Sequence, residues 1–503
     1  MKTLEDLVVL RRLLVRDIRV SARSVRCVYT VEDRTGNRDD ANLIYTYSRP
    51  RFRVDDPRDL NLASMMLAQV ALNYGLFCEE IVFDGDFDDT DRQFLDGMME
   101  NTSREILTNK LLVENKFLIP GWEEIAVEPR ERYTAAKLVF PRDPVHRVPD
   151  PPGAGKFNPD KYVILSSGGK DSLLTYGLIR EMGEALPVFI NESGRHWYTA
   201  LNAYRYFLLH DPATEKPWCN SDRLFNFMLR RLPFIRKDYA EIRADDYPIR
   251  LWTVAVFVFG VLPVALREGA GNILVGDEYD TTVTGVRAGI RHYHGLYDQS
   301  RYFDLALTRY FRRKGWDISQ FSVLRSLSEL LIMKILLTRY PELQRHQVSC
   351  HAALMAGGRV VPCGKCEKCR RIIGMIRALD GDPSVCGYTE RQMEAGLRSL
   401  ETGRVKQLGS DAAHLYHMLL DKGLLAADSA TAKTARPHPE IMKLRFDEVR
   451  SRPEELPARI RETLLAILSA YADGVVVREK GAWVDTSTAG LIIREKGRRI
   501  DEQ

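Results

Sequence analysis

Short apolar runs alternate with helix-like segments in the middle of this chain. The apolar run at residues 162–165 is followed by a glycine turn and by a helix-like segment at residues 172–182. A second apolar run at residues 186–190 precedes another helix-like segment around residues 198–209. Strands that alternate with helices predict a parallel sheet covered on both faces, in which ligands bind beyond the carboxyl ends of the strands.

The alternation continues through the longest apolar run of the chain, residues 251–266, into a further predicted strand at residues 273–276. The run contains Gly260 and Pro263 and is shorter than the roughly 18–20 residues that a membrane-spanning helix needs. We therefore expect a buried core helix here and no membrane partner.

The pattern divides the chain into four regions. Residues 1–142 mix helix-like pieces with strand-like pieces such as residues 78–83, and they predict an α+β N-terminal domain. Residues 143–160 are rich in Pro, Asp and Gly and predict a linker. Residues 161–400 predict a doubly wound α/β domain. Residues 401–503 are helical and charged, with strand-like runs near the end, and predict a small C-terminal appendage.

The composition is that of an ordinary globular protein. The chain has 503 residues, of which 45% are hydrophobic and 28% are charged, as expected of a globular protein with more than one domain. The formal net charge of +4 does not favour a nucleic-acid partner. The N-terminal residues mix charged side chains with Leu and Val, so a secretory signal is not expected and the cytoplasm is the expected compartment.

A turn rich in serine and glycine follows the predicted strand at residues 162–165. It consists of Ser166, Ser167, Gly168, Gly169, Lys170, Asp171 and Ser172. Glycine lets the backbone approach an anion closely, and the first amides of the following helix have no partners within that helix. The serine hydroxyls can donate hydrogen bonds, and Lys170 supplies a positive charge. The turn therefore predicts a phosphate site, although its spacing is not that of a Walker loop.

Four of the eight cysteines are grouped in the sequence, and they are Cys350, Cys363, Cys366 and Cys369. The last three form two overlapping C-x-x-C units, whose thiolates can surround one tetrahedral ion. Four cysteine ligands close the coordination shell, which is typical of a structural Zn²⁺ site, and an iron–sulfur cluster is the alternative. The nearby basic residues could offset the thiolate charge or face an anionic substrate, and they are Lys365, Lys368, Arg370 and Arg371.

Two acidic residues and a histidine pair are further candidates. Asp277 and Glu278 follow a predicted strand at its carboxyl end, where they could bind Mg²⁺, transfer protons or form a solvated acidic turn. His292 and His294 could transfer protons near neutral pH, but histidines are more often ordinary polar groups of the surface or core.

Two further pairs of charged residues have distinct interpretations. Arg195 and His196 are expected to follow the carboxyl end of the strand at residues 186–190, where they could bind a carboxylate or phosphate. Arg325 and Glu329 are four residues apart on a predicted helix, and this spacing favours an ion pair within that helix.

The serine- and glycine-rich turn resembles the PP-loop of the N-type ATP pyrophosphatases, whose signature Ser-Gly-Gly-x-Asp-Ser matches residues 167–172. The resemblance implies a HUP-like doubly wound fold and cleavage of ATP to AMP and diphosphate, usually by adenylation of a carboxylate, amide or carbonyl oxygen. It implies that the residues of the turn contact ATP, that Lys170 and Asp171 take part in catalysis, and that Mg²⁺ accompanies the nucleotide. It does not identify the Mg²⁺ ligands.

The cysteine group and the segment before it narrow the resemblance. Residues 349–350 and 363–370 resemble the zinc site of the QueC-like 7-cyano-7-deazaguanine synthases, which turn a carboxylate into a nitrile with ATP and ammonia. The domain order and residues 321–330 resemble the MurL-like epimerases, which adenylate the terminal L-glutamate carboxylate of a UDP-muramoyl dipeptide before its α-carbon is inverted. Residues 194–199 and 275–280 depart from the epimerase pattern where the substrate should lie, so the acceptor stays unassigned.

The sequence therefore predicts an adenylating enzyme, of the epimerase or ligase type, that acts on ATP and a small carboxylate, and a homo-oligomer is possible. A nucleobase-modifying or tRNA-modifying PP-loop enzyme is one alternative, but an RNA partner would need a basic face that the modest net charge disfavours. A non-catalytic nucleotide-binding component of a defence or signalling system is the other, and it would bind ATP without forming AMP.

Overall fold

The structure, a computed structural model, describes residues 2–122, 125–145, 156–192, 194–242, 247–293, 296–350, 352–403 and 405–491, without the side chains at positions 195 and 196. The strands of these residues are β1 (Leu10–Ser21), β2 (Ser24–Asp33), β3 (Arg38–Thr46), β4 (Cys78–Phe83), β5 (Lys137–Val139), β6 (Asn158–Leu165), β7 (Glu184–Val188), β8 (Trp218–Cys219), β9 (Ala270–Leu274), β10 (Thr284–Arg287), β11 (Ile290–Tyr293), β12 (Ser319–Phe321), β13 (Leu354–Ala356), β14 (Arg359–Val361), β15 (Leu444–Phe446), β16 (Val475–Glu479) and β17 (Ala482–Thr486). The α-helices are α1 (Pro57–Ala68), α2 (Asp89–Ile106), α3 (Lys170–Ile179), α4 (Arg195–His210), α5 (Ser221–Leu229), α6 (Val254–Glu268), α7 (Arg301–Arg313), α8 (Glu329–Arg339), α9 (Pro341–Gln344), α10 (Glu367–Ala378), α11 (Glu390–Leu400), α12 (Gly409–Asp421) and α13 (Ala458–Ser469).

The N-terminal region forms a six-stranded mixed sheet in the order β5-β4-β1-β2-β3-β8. β1, β2 and β3 are antiparallel, and β4 and β5 add in parallel beside β1. The sixth strand, β8, pairs with β3 although it lies beyond the predicted linker of residues 143–160. Residues 146–155 of that linker lie outside the described residues, and β6 already begins at Asn158.

The second sheet has four strands in the order β12-β9-β6-β7, and all of its pairings are parallel. Successive residues of a strand point to opposite faces. Val163 of β6 packs into the core that contains α6, whereas Tyr162 and Ile164 pack into the core that contains α3 and α8. Because helices cover both faces, the predicted α/β architecture with a parallel sheet is confirmed.

The apolar run that predicts a buried helix forms α6, whose residues are mostly buried. The helix ends at Gly269, which has a φ of +62° and therefore adopts the left-handed conformation that terminates helices. The chain then enters β9 directly. Among the described residues, no helix is both long enough and apolar enough to cross a membrane.

The core on the α6 side is continuous between the two sheets, since it includes Leu13 of β1 as well as Val163 of β6. On the other side, β15 and α13 of the C-terminal region join the core of α3 and α8. Helices α10 and α12 form a third core together with Cys350 and Cys369. Both flanking regions are therefore packed directly onto the parallel-sheet domain.

A buried polar cluster ties the end of α7 to two N-terminal helices. The ammonium group of Lys314 lies 2.7 Å from Asn61 Oδ1 and 3.0 Å from Asp91 Oδ1, and it also pairs with Asp88. The hydroxyl of Tyr310 donates to Asp91 at 2.8 Å. A charge buried this deeply must be paired, because an isolated charge in a protein interior is costly. The cluster therefore anchors the N-terminal region to the α/β domain.

Candidate functional site

The serine- and glycine-rich turn connects the carboxyl end of β6 to the start of α3. Gly169 occupies the N-cap position, and no described side chain caps this helix. The amide of Leu173 donates to the carbonyl of Gly169 at 3.1 Å, so the earlier amides of the helix have no acceptor within it. The start of α3 is therefore suited to an anion.

Backbone contacts hold the turn in place. The amide of Ser166 donates to the carbonyl of Val188 at 2.9 Å, and the amide of Val348 donates to the carbonyl of Gly168 at 3.2 Å. Gly168 has a φ of +73°, and a Cβ there would lie 2.6 Å from the carbonyl oxygen of Thr199 on α4. Only glycine satisfies both the conformation and the close approach of α4.

The hydroxyl of Ser172 closes the turn from within. It accepts a hydrogen bond from the amide of Ser167 at 3.3 Å and donates to the carbonyl of Gly169 at 3.2 Å. A Cβ on Gly169 would meet only Ser167 Oγ, at 3.4 Å. The backbone at Gly169 is therefore exposed to the space in front of the turn.

The turn opens into a cavity of about 650 Å³, a size typical of small-molecule sites. Charged residues from several distant segments line it together with the turn, and they are Lys110, Arg250, Asp277, Glu278, Glu329, Lys368 and Arg371. The structure thus brings the turn together with both acidic candidates and with two basic residues that neighbour the cysteines.

The ammonium group of Lys170 lies among three carboxylates. Its Nζ is 2.6 Å from Asp171 Oδ1, 3.1 Å from Glu329 Oε1 and 3.2 Å from Glu278 Oε2. Burial alone favours the neutral amine, but the carboxylates raise the pKa of Lys170 well above its ordinary value. Lys170 is therefore permanently protonated near neutral pH and does not act as a proton acceptor.

Glu329 bridges two cations. Its Oε1 faces Lys170, and its Oε2 lies 3.2 Å from Nη1 of Arg371. Burial acts to raise the pKa of Glu329, but Arg371 and Lys170 outweigh it and lower that pKa to about 2. The predicted ion pair between Arg325 and Glu329 is wrong, because α8 begins only at Glu329. Arg325 lies before the helix and pairs with Asp304 at 2.6 Å.

Asp277 and Glu278 follow the carboxyl end of β9, as the sequence predicts. The amide of Asp277 donates to Ser322 Oγ at 3.0 Å, and its carboxylate lies 3.4 Å from Arg325. Burial raises the pKa of Asp277 well above its ordinary value, although Arg325 opposes the shift. In the part of the chain that the structure describes, only the cysteines form a group of three or more metal-ligating side chains within 4.8 Å of one another. A Mg²⁺ role for the two acids therefore stays a prediction.

The four grouped cysteines converge on one point. Cys366 Sγ lies 3.5 Å from Cys369 Sγ and 3.6 Å from Cys350 Sγ, and Cys363 Sγ lies 3.7 Å from Cys369 Sγ. Four sulfurs about 2.3 Å from one tetrahedral ion would be about 3.8 Å apart. The sulfur set therefore fits a single ion, and the predicted cluster is confirmed as a group that could hold a metal such as Zn²⁺.

The turn of the cysteine group depends on Gly364. This residue has a φ of +70°, and a Cβ there would lie 2.5 Å from the side chain of Gln392. Gln392 Nε2 in turn donates to the carbonyl of Cys363 at 3.3 Å, and the amide of Lys365 donates to Cys363 Sγ at 3.4 Å. These contacts orient the sulfur of Cys363 toward the other three.

Neither histidine candidate is found at the turn among the described residues. His292 is buried on β11, with Nδ1 3.2 Å from the carbonyl oxygen of Tyr293, and it is not among the residues that line the cavity. His294 lies outside the described residues, as do the side chains of Arg195 and His196. Proton transfer by the histidine pair stays a prediction.

Two cationic residues of the cavity wall were not expected from the sequence. Lys110 comes from the short helical turn after α2, and Arg250 comes from the segment before α6. The guanidinium of Arg250 lies over the rings of Tyr247 and Phe225, at 4.3 and 4.5 Å, and 3.2 Å from Asp222 Oδ1. Neither residue belongs to a local motif, so no sequence signal marks them.

A larger cavity of about 870 Å³ lies along β12 and the C-terminal region. Its described lining includes Gln320 and Arg325 but no residue of the phosphate turn or of the cysteine group. The chemistry predicted from the sequence therefore belongs to the smaller cavity.

Comparison of the chain with protein-family models and with curated proteins found no match.

Proposed function

We propose that the protein is a PP-loop ATP pyrophosphatase with a HUP-like fold, which cleaves ATP to AMP and diphosphate while it adenylates a small carboxylate. The observation that supports the proposal most is the uncapped start of α3, which opens at Gly169 into a cavity that also contains Lys170. Unpaired amides, a helix dipole and a nearby cation together favour a polyphosphate ligand.

The proposed step is a substitution at the α-phosphorus of ATP. A carboxylate oxygen of the acceptor forms a bond to this phosphorus, the bond to the oxygen that leads to the β-phosphate breaks, and its electron pair leaves with diphosphate. The amides of the turn and the hydroxyl of Ser167 would bind the departing diphosphate, with the charged Lys170 beside it. Bound Mg²⁺ would supply additional charge neutralisation.

Cations in the rest of the wall support a carboxylate as the acceptor. Arg250 and Lys368 both line the cavity, and guanidinium and ammonium groups are the usual protein partners of carboxylates. The thiolates of the cysteine group suit a reducing compartment, so we propose the cytoplasm as the site of action.

The proposal is tested by incubating the full-length protein with ATP, Mg²⁺ and pooled small carboxylates, followed by measurement of nucleotide and diphosphate. AMP and diphosphate that form only with a particular carboxylate would support adenylation, whereas formation of ADP would contradict it. The fate of that carboxylate then separates the two types of enzyme. Inversion of its α-carbon indicates an epimerase, whereas a stable amide or nitrile that forms only when an ammonium salt is added indicates a ligase or synthase.

Two other results would point to the alternative functions. Tight ATP binding without AMP, with every carboxylate tried, would indicate a nucleotide-binding component that is not an enzyme. Binding of bulk tRNA that weakens steeply with salt would indicate an RNA-modifying enzyme.

A further inference from the structure

The segment that ends in Cys350 also forms part of the cavity wall. Val348 and Ser349 line the cavity, and the amide of Val348 holds the carbonyl of Gly168 at 3.2 Å. An ion bound to Cys350 would therefore fix the segment that supports the phosphate turn.

Helix α10 carries two more of the cysteines and also reaches the cavity. Cys366 occupies the N-cap position of the helix, and Cys369 lies in its first turn. Lys368 and Arg371, which lie on either side of Cys369 in the sequence, line the cavity. The direction and position of this helix decide where both basic side chains lie.

Arg371 reaches the phosphate turn through one carboxylate. Its Nη1 lies 3.2 Å from Glu329 Oε2, and Glu329 Oε1 lies 3.1 Å from Lys170 Nζ. The side chains of Arg371, Glu329 and Lys170 are 14%, 10% and 5% exposed, so solvent screens their interactions weakly. The two cations share one carboxylate, and the position of Arg371 therefore decides how strongly Glu329 retains Lys170.

We propose that the four-cysteine centre controls the phosphate turn. A bound metal ion fixes α10, so that Arg371 stays paired with the carboxylate of Glu329. This pairing weakens the attraction of Glu329 for Lys170, and the ammonium group of Lys170 can then move toward the phosphates of the ligand. Glu329 and Arg371 are positioning residues in this scheme. Naming ATP as the ligand rests on the proposed function, whereas the coupling between the cysteines and Lys170 does not.

The first test measures binding of a fluorescent ATP analogue, with Mg²⁺, to full-length protein that is either loaded with Zn²⁺ or stripped by a chelator under reducing conditions. We expect stripping to weaken binding about tenfold, within the usual range of coupling between sites. The variant Arg371→Gln, fully loaded, should bind about tenfold more weakly than the loaded wild type, and stripping it should change binding less than about twofold, because the two changes break the same connection.

A neighbouring arginine on the same helix provides the matched control. Arg370 donates to Ser399 Oγ at 3.3 Å and does not line the cavity among the described residues. Arg370→Gln should therefore keep wild-type binding and the full response to metal. Arg371→Lys, which retains the positive charge, should recover most of the binding that Arg371→Gln loses.

The second test does not depend on ATP. The rate at which an amine-reactive reagent labels Lys170 is followed by peptide mass spectrometry. Without the competing pull of Arg371, Glu329 holds the ammonium group more tightly, so labelling should slow at least about threefold both on stripping and in Arg371→Gln. Arg370→Gln should label at the wild-type rate.

The outcomes separate this inference from the proposed function. If loaded wild-type protein binds no ATP analogue, the proposed function fails, and the labelling of Lys170 still decides the coupling. If stripped wild type binds and labels as loaded protein does, or if stripping and Arg371→Gln act independently, the coupling is overturned. If stripping unfolds the chain, as seen by circular dichroism, the loaded variants decide, and equal losses in Arg371→Gln and Arg370→Gln would overturn it.

Discussion

Gly276 packs directly against the backbone of Asp171. A Cβ on Gly276 would lie 2.9 Å from the carbonyl carbon of Asp171 and 3.0 Å from its oxygen. Both groups are backbone, so neither can move aside without shifting the element that carries it. The segment that follows β9 and the first turn of α3 are therefore in contact with no room for a side chain, and this contact sets the position of the phosphate turn.

We expect Gly276→Ala to displace the first turn of α3. The substitution should weaken binding of an ATP analogue at least about tenfold and cost about 1–3 kcal/mol of unfolding free energy, as is usual for overpacking. Titration and urea unfolding measure the two effects. Gly97→Ala is the control, because a Cβ there meets nothing within 4 Å on α2. It should leave binding unchanged and raise stability by up to about 1 kcal/mol. Wild-type binding in Gly276→Ala would contradict the expectation.

Gly169→Ala tests the phosphate turn without straining it. Gly169 has a φ of −83°, which any residue adopts, and its Cβ would meet only Ser167 Oγ at 3.4 Å. The added methyl group should occupy the space that a phosphate needs, so ATP binding should fall at least about tenfold while the melting temperature stays within about 2 °C of wild type. Isothermal titration and thermal unfolding measure the two quantities. Unchanged ATP binding by Gly169→Ala would indicate that the phosphates lie elsewhere in the cavity.

Lys314→Met should destabilise the protein strongly. Among the described ion pairs, Lys314 is the only cation that contacts Asp88 and Asp91. The substitution therefore leaves both buried carboxylates without a cationic partner. Removing one partner of a buried ion pair costs about 3–5 kcal/mol. Urea unfolding measures the change. Lys334, whose pair with Asp473 is 29% and 56% exposed, is the control, and Lys334→Met should change stability by less than about 1 kcal/mol.

Glu105 makes stability depend on pH. Its carboxylate is buried and accepts a hydrogen bond from the amide of Tyr293 at 3.1 Å. Burial raises the pKa of Glu105 to about 7 in the folded protein, from about 4.3 in an unfolded chain. The folded state therefore binds a proton that the unfolded chain lacks between these values, and the resulting stabilisation is present at low pH and lost as the pH rises through 7.

We expect the unfolding free energy of Glu105→Gln to fall less steeply than that of wild type between about pH 4.5 and 7. The difference in slope should not exceed about 1.4 kcal/mol per pH unit, the value for one proton. Denaturant unfolding across this range measures both curves. Parallel curves would show that Glu105 does not hold the proton.

The local pattern of apolar residues predicts the presence of a helix or strand better than it predicts where that element begins and ends. The strand predicted at residues 78–83 is β4, Cys78–Phe83. By contrast, the apolar run that begins at Leu251 becomes helical only at Val254. The side chain of Asn73 accepts hydrogen bonds from the amides of Leu251 and Trp252, both at 3.0 Å, and so holds these residues in an extended segment. A partner 178 residues away in the chain cannot be inferred from a local apolar run.

Strand β8 could not be predicted from the local sequence. Trp218 and Cys219 pair with Thr46 and Tyr45 of β3 and so complete a sheet that begins on the other side of the predicted linker. Two residues carry no periodicity that could reveal a strand, and pairing between distant segments depends on the packing of the whole domain. The predicted domain boundary therefore follows composition, while the hydrophobic core crosses it.

Two sequence motifs predict the type of chemistry. A glycine turn between a strand and a helix predicts an anion site, and four closely spaced cysteines predict a metal site. Both signals are local, because the ligand groups lie a few residues apart and the backbone needs only glycine at Gly168 and Gly364 to bring them together. The charges around Lys170, by contrast, depend on how distant segments pack against each other. Its partners are Glu278 and Glu329, with Arg371 more distant, and they come from the segment after β9, from α8 and from α10. These segments meet only when they pack against the start of α3. Sequence spacing assigned Glu329 to Arg325, whereas packing places it between Lys170 and Arg371.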